Sequence, residues 1–117
     1  MASYFGVRAY RVNVPLANTP IPIWTPAIGA AGYQRFSEAI TITSLSTNTS
    51  DMAVGGSNVT VGTALTTDGP PLSPGDFRSY GVDPKVSSLS SELDLSLIYI
   101  VAATAGDDFF VEYISKE

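Results

Sequence analysis

Hydrophobic and polar positions alternate with a period of two at several places along this chain. Tyr10, Val12, Val14 and Leu16 alternate with Arg11, Asn13 and Pro15, which predicts a strand with one buried face. Pro15 must then lie at an edge or a strand end. Ile40 and Ile42 alternate with Thr41 and Thr43, so the stretch from Ala39 to Leu45 predicts a second strand. Asp51 to Val54 predicts a short strand and Val59 to Leu65 a further extended segment. Gly55-Gly56-Ser57-Asn58 between them predicts a tight turn in which the glycines supply positive φ. Phe77 to Tyr80 predicts another strand. The run from Leu95 to Thr104 is apolar throughout and predicts a central strand covered on both faces. Ala105-Gly106-Asp107-Asp108 then predicts a hairpin turn, with Phe109 to Ile114 as the returning strand. Phe109, Val111 and Tyr113 fall on one face of that strand; Phe110, Glu112 and Ile114 fall on the other.

Between these strands the sequence predicts loops. Residues 17–32 contain Pro20, Pro22 and Pro26, a density that argues against a helix and for an extended strap. Ser46 to Ser50 reads as a polar turn, and Asp68 to Gly75, with three prolines and two glycines, as a loop. Ser90 to Asp94 has room for one helical turn. Six to eight short strands and no long helix predict an all-β fold, an antiparallel β-sandwich of jelly-roll type. At 117 residues the chain is expected to form one domain, with residues 1–35 as an extended arm or strap and residues 36–117 as the sandwich core.

Composition narrows the functional classes. The chain has neither His nor Cys. The commonest general base, the commonest metal ligand and the best nucleophile are therefore missing, and a Ser-His-Asp triad is excluded within this chain. Asp107 and Asp108 are the adjacent carboxylates, but neighbours on a strand point to opposite faces, so a role in the turn is expected rather than glycoside hydrolysis. Asp68, Asp76 and Asp83 lack the spacing of a calcium loop, and Gly55-Gly56-Ser57 lacks the ending of a phosphate loop. No enzyme activity and no cofactor or metal is expected. Asn48-Thr49-Ser50 and Asn58-Val59-Thr60 match the glycosylation pattern. The N-terminal residues lack a signal-peptide pattern, so both matches are expected to be accidental and synthesis to be cytoplasmic.

Charged residues are only 15% of the chain, and the net charge is −5. Ser and Thr supply the polar surface instead, and hydroxyls cost less to bury against a partner than full charges do. An acidic chain is not expected to bind nucleic acid, and no apolar run is long enough for a membrane helix. Arg8, Arg11 and Arg35 make the first 50 residues basic, while the remainder is strongly acidic. The aromatic pair Tyr4 and Phe5 near the N-terminus suggests a segment that docks on something. Tyr4, Phe5, Arg8, Arg11, Ile21, Ile23 and Trp24 are therefore the candidate interface residues. For Trp24 the sequence leaves two readings, with closure of one end of the sandwich favoured over contact with a partner. Trp24, Tyr33 and Tyr80 are also candidates for stacking on a sugar.

Three stretches carry a family resemblance: Val54-Gly55-Gly56-Ser57-Asn58-Val59-Thr60, then Leu72-Ser73-Pro74-Gly75, then Asp94-Leu95-Ser96-Leu97-Ile98-Tyr99-Ile100-Val101-Ala102-Ala103-Thr104 followed by Ala105-Gly106-Asp107. In this order and spacing they resemble small structural proteins of tailed bacteriophage virions. The resemblance spans residues 39–114 and does not extend to residues 1–38. It implies a non-enzymatic β-sandwich present in many copies, of the capsid cement or decoration type. Such a protein sits on the capsid surface of the virion, binds the major capsid protein and neighbouring copies, and commonly forms trimers. Neck, tail and fibre components have a similar look and remain an alternative, as does a carbohydrate-binding sandwich.

Overall fold

The computed structural model describes residues 5–61, 71–81 and 92–116. Its strands are β1 (Phe5–Asn13), β2 (Ile21–Pro22), β3 (Phe36–Ser37), β4 (Ala39–Ser44) and β5 (Met52–Gly55) in the first half. β6 (Pro71–Leu72), β7 (Phe77–Gly81), β8 (Leu93–Asp94), β9 (Tyr99–Ala102) and β10 (Asp108–Lys116) follow. Every ladder is antiparallel, and the pairs are nested: β1 with β10, β2 with β9, β3 with β8, β4 with β7 and β5 with β6. The chain is one long hairpin, folded over when β10 also takes β4 and β9 also takes β5. Two four-stranded sheets result, in the orders β1-β10-β4-β7 and β2-β9-β5-β6, plus the small β3–β8 ribbon. This is the winding of a jelly roll, as the strand pattern predicts.

The two sheets are covered differently. Phe109, Val111 and Tyr113 of β10, with Ile40 and Ile42 of β4 and Tyr10 of β1, pack against Met52, Val54, Ile100 and Ala102 of the β9 sheet. A second cluster of Ala53, Val59 and Val101 lies on the other side of β5 and β9. Val59 belongs to the segment after β5, so that segment covers the outer face of the β9 sheet. This is why β9 is buried at Ile100, Val101 and Ala102 in succession, whereas β4 alternates strictly.

Several local expectations need correction. Residues 17–32 do contain a helix, α1 (Pro26–Ala30). Proline disrupts helix interiors, but Pro26 stands in the first turn, where its missing N–H needs no partner, and Thr25 caps the helix by accepting from Ile28 N. Leu16 is not inside but 61% exposed, because β1 ends at Asn13 and the chain turns away after the buried Val14. Gly55 and Gly56 do not have positive φ; Gly32, Gly75 and Gly106 do. The long strand expected at Leu95 is shortened to β9, because the Asp94 carboxylate accepts from Ser96 N and starts a 3₁₀ turn over Leu95–Leu97. Leu93 and Asp94 are strand rather than helical turn, and Pro71 and Leu72 pair as β6 inside the expected loop. Val59 to Val61 lie outside any strand; Tyr4, residues 62–70 and residues 82–91 lie outside the described residues. The turn at Ala105-Gly106-Asp107 exists, yet it is not a hairpin within one ladder, because β9 and β10 belong to different sheets.

The N-terminal third is part of the sandwich. β1 pairs with β10 through nine successive positions, and β2 pairs with Tyr99 and Ile100. Its apolar residues are what close the core: Val14 and Ile23 are fully buried. A free arm over residues 1–35 would have left them in water.

Candidate interaction surface

The polar side chains expected to lack catalytic roles are occupied in holding the fold. Asp107 is buried and its carboxylate accepts from the backbone N–H and hydroxyl of both Thr49 and Ser50. It therefore ties the β9–β10 crossover to the turn after β4. Asp108 points the other way, to Arg11 and to Asn13 Nδ2 at 2.8 Å. Burial pushes its carboxyl pKa up, but the hydrogen bonds from Arg11 and Asn13 outweigh that and hold it below the ordinary value. Asn48 spends its amide on the backbone of Asp108 and on Ser44, so the first glycosylation match is structural. Among the described residues no cluster of His, Cys, Asp and Glu could hold a metal ion.

Segment 21–35, with Arg8 and Tyr10 of β1, closes one end of the sandwich. Tyr10 donates its hydroxyl to Ile23 O at 2.7 Å, and the Tyr113 hydroxyl accepts from Gln34 N at 3.0 Å. Tyr33 stacks at a tilt on Tyr10, with ring centroids 4.9 Å apart. Arg8 donates to Gly32 O at 2.8 Å and lies over the Tyr33 ring. Trp24 donates from Nε1 to Tyr33 O and packs against the core, which is the end-closing role favoured for it. Arg35 grips Asp94 through two hydrogen bonds, of 3.0 and 2.9 Å, and lies between the rings of Phe36 and Trp24.

The candidate interface residues thus separate. Ile23 is fully buried and presents no surface. Ile21, Trp24 and Arg8 are half-buried and engaged within the chain. Arg11 is exposed but paired with Asp108. Phe5 begins β1 opposite Lys116. The sugar-stacking candidates do not converge either: Trp24 and Tyr33 serve the closed end, while Tyr80 lines an apolar depression with Val54, Leu93, Leu97 and Ile98.

Two consequences of this end are measurable. A Cβ at Gly29 would meet the Trp24 ring, with Cη2 only 3.0 Å away and Cζ2 closer still. Gly29→Ala should displace the ring at a cost of about 1–3 kcal/mol. Trp24 is the only tryptophan, so its fluorescence should shift to the red together with the loss in urea midpoint. The second concerns acid. Hydrogen bonds from Arg35, then from Ser96, hold the Asp94 carboxyl at about 2, below its ordinary 3.8. A depressed folded-state pKa gives stability that is complete above the ordinary value and lost as pH falls through the folded one. Wild-type stability should therefore fall between about pH 4 and about pH 2. Asp94→Asn should flatten that part of the urea-midpoint profile while lowering the midpoint at neutral pH.

Among the large exposed apolar residues described, Val7, Phe77 and Phe110 converge on the outer face of the β10 sheet, while Leu16, Phe36 and Leu97 lie outside that sheet. Cross-strand register places Arg11, Phe110, Thr43 and Phe77 in one row. Ala9, Glu112, Thr41 and Ser79 form the next row, and Val7 lies opposite Ile114 beyond it. Val7 and Phe77 are each 67% exposed and Phe110 is 37% exposed. The hydroxyls of Thr41 and Ser79 are hydrogen-bonded to each other at 2.8 Å, which lowers the cost of covering them. A shallow depression of about 340 Å³ opens between Val7, Ala39, Thr41, Ser79 and Ile114. Glu112 and Arg11 are the charged members of these rows. The alternation of β10 already puts Phe110 and Ile114 outward; only the register shows that Phe77 and Val7 join them.

No family model and no curated protein matches this chain.

Proposed function

We propose that this protein is a structural component of a tailed-bacteriophage virion, a cement or decoration protein that binds the major capsid protein through the outer face of its β10 sheet. The observation that carries the reading is that face: a broad, mostly uncharged surface of exposed Val7, Phe77 and Phe110 interleaved with threonine and serine hydroxyls. Exposed apolar surface rimmed by polar groups marks protein contact sites. The resemblance over residues 39–114 supplies the virion assignment. The jelly roll agrees with it but does not decide it, because capsid proteins, lectins and cupins all use this winding. A chain without His or Cys, whose buried carboxylate is spent on turn geometry, fits a contact role better than a catalytic one.

The test is binding of purified chain to undecorated capsids. The native chain should bind in hundreds of copies and raise the temperature at which particles release DNA. Phe77→Asp with Phe110→Asp should fold, judged by circular dichroism, and should not bind. Capsids equally heat-resistant with and without the chain would overturn the clamp. A dozen or fewer copies per virion would place the chain in a neck or tail.

A further inference from the structure

The strand edges of this protein are unequal. The outer strands β2 and β6 of the β9 sheet have two residues each, and β7 has five, whereas β1 has nine. Short edge strands resist strand addition; a long flat one invites it. β1 also lacks the usual guards. It contains no proline, and its register with β10 runs without a bulge from Phe5 to Asn13. Its two charges are tied down, Arg8 by Gly32 O and the Tyr33 ring, Arg11 by Asp108.

The hydrogen-bond pattern shows which backbone groups face the open side. Val14 N donates to Asp107 O, one step beyond the Asn13–Asp108 pair, so Val14 points toward β10. Leu45 N donates to Asp108 O, so Asp108 points toward β4 and its partner Asn13 points away. Alternation then turns Tyr10 and Val12 toward β10 and leaves the N–H and C=O of Val7, Ala9 and Arg11 on the free edge. No hydrogen bond among the described residues reaches these groups.

We infer that a second copy of this chain occupies that edge, antiparallel, on a twofold axis through Ala9. The strand is complementary to itself in this register. Ala9 meets its own copy, Val7 meets Arg11 of the second copy, and all nine residues overlap. Odd-numbered residues must face odd-numbered ones for the hydrogen bonds to form. The neighbouring twofold register centred on Arg8 would oppose two arginines directly, and so would the one centred on Arg11, which is unfavourable. A register centred on Tyr10 shortens the overlap. The Ala9 register makes roughly six hydrogen bonds through Val7, Ala9 and Arg11. It covers part of the exposed Val7 with the aliphatic stem of an arginine. It also joins the two β10 sheets into one, so the two outer faces become continuous. The arrangement is a closed twofold, not the threefold that the family resemblance implies. It does not depend on what the outer face binds.

Sedimentation of the full chain over a concentration series tests this. The expected species has twice the 12.3 kDa protomer mass. A monomer at every soluble concentration, or a trimer, would overturn the inference. Ala9→Lys sets like charges together at the axis but lies beside Glu112 within its own sheet. It should weaken the dimer at least about tenfold while leaving the circular dichroism of the folded protomer unchanged. Thr41→Lys, on the same face of the interior strand β4, should leave the dimer intact. Ala9→Cys gives an independent readout because the chain has no cysteine. Opposed residues of a hydrogen-bonded pair have Cα atoms about 5.5 Å apart, within the span of a short bifunctional thiol reagent. A short bismaleimide should therefore link the dimer, whereas Thr41→Cys should stay unlinked. A dimer that survives Ala9→Lys, or that Ala9→Cys does not link, is held by another surface and sinks the proposal.

Discussion

Phe109→Ala should cost about 3–5 kcal/mol, and Phe110→Ala, one position along the same strand, about 1 kcal/mol or less. Phe109 is fully buried between the sheets, against Val111 and the facing β9 sheet. Truncation there removes buried apolar area and leaves a cavity that a close-packed core cannot fully close. A domain of this size is typically stable by only about 5–15 kcal/mol, so the first variant should lie close to unfolding. Phe110 is turned toward solvent on the outer face and leaves no enclosed hole. Urea unfolding of the two variants measures the contrast directly. Equal losses would mean that β10 does not present these faces. Phe110→Ala should instead show its effect in capsid binding, with stability nearly intact.

The second large effect is expected at Asn48. Its Nδ2 donates to Asp108 O at 2.7 Å and to Ser44 Oγ at 2.9 Å, while Oδ1 accepts from Asp108 N at 2.8 Å. One side chain thereby continues the ladder at the point where β10 begins and the chain leaves β4. Asn48→Ala leaves the Asp108 N–H without that acceptor in a poorly hydrated place. The expected cost is about 2–3 kcal/mol, more than an average hydrogen bond because a donor is orphaned. Asn48→Asp keeps an acceptor for that N–H but loses both donations and brings a carboxylate against Asp108 O. It should be destabilised at least as much at neutral pH. If Asn48→Ala unfolded at the wild-type urea midpoint, this amide would have no structural weight.

Asn48 also illustrates what sequence reading can and cannot reach. The chain shows it only as a polar turn residue and a glycosylation match. Its partner is 60 residues away, and no local pattern announces such a bond. Asp107 is similar: the sequence places it in a turn, but it serves a different turn, after β4. Proline density hides the helix at Pro26, since proline is tolerated in the first turn and excluded only further in. Leu16 looks inward only when the alternation is extended past the end of its strand.

Much of the surface is nonetheless written in the strands. Residue identity alone separates Phe109, Val111 and Tyr113 from Phe110, Glu112 and Ile114. Side-chain direction alternates in any strand, whatever it pairs with. The lack of His and Cys likewise excludes whole classes of chemistry, whatever the fold. Pairing is different, because it depends on contacts between segments far apart in the chain. Only the tertiary structure could place β9 and β10 in different sheets despite the short turn between them. Only it could draw residues 5–23 into the sandwich and leave the outer face of one sheet and the long edge of β1 open. The period of two was fixed locally; which face is covered, and by what, was decided by which strands the core brings together.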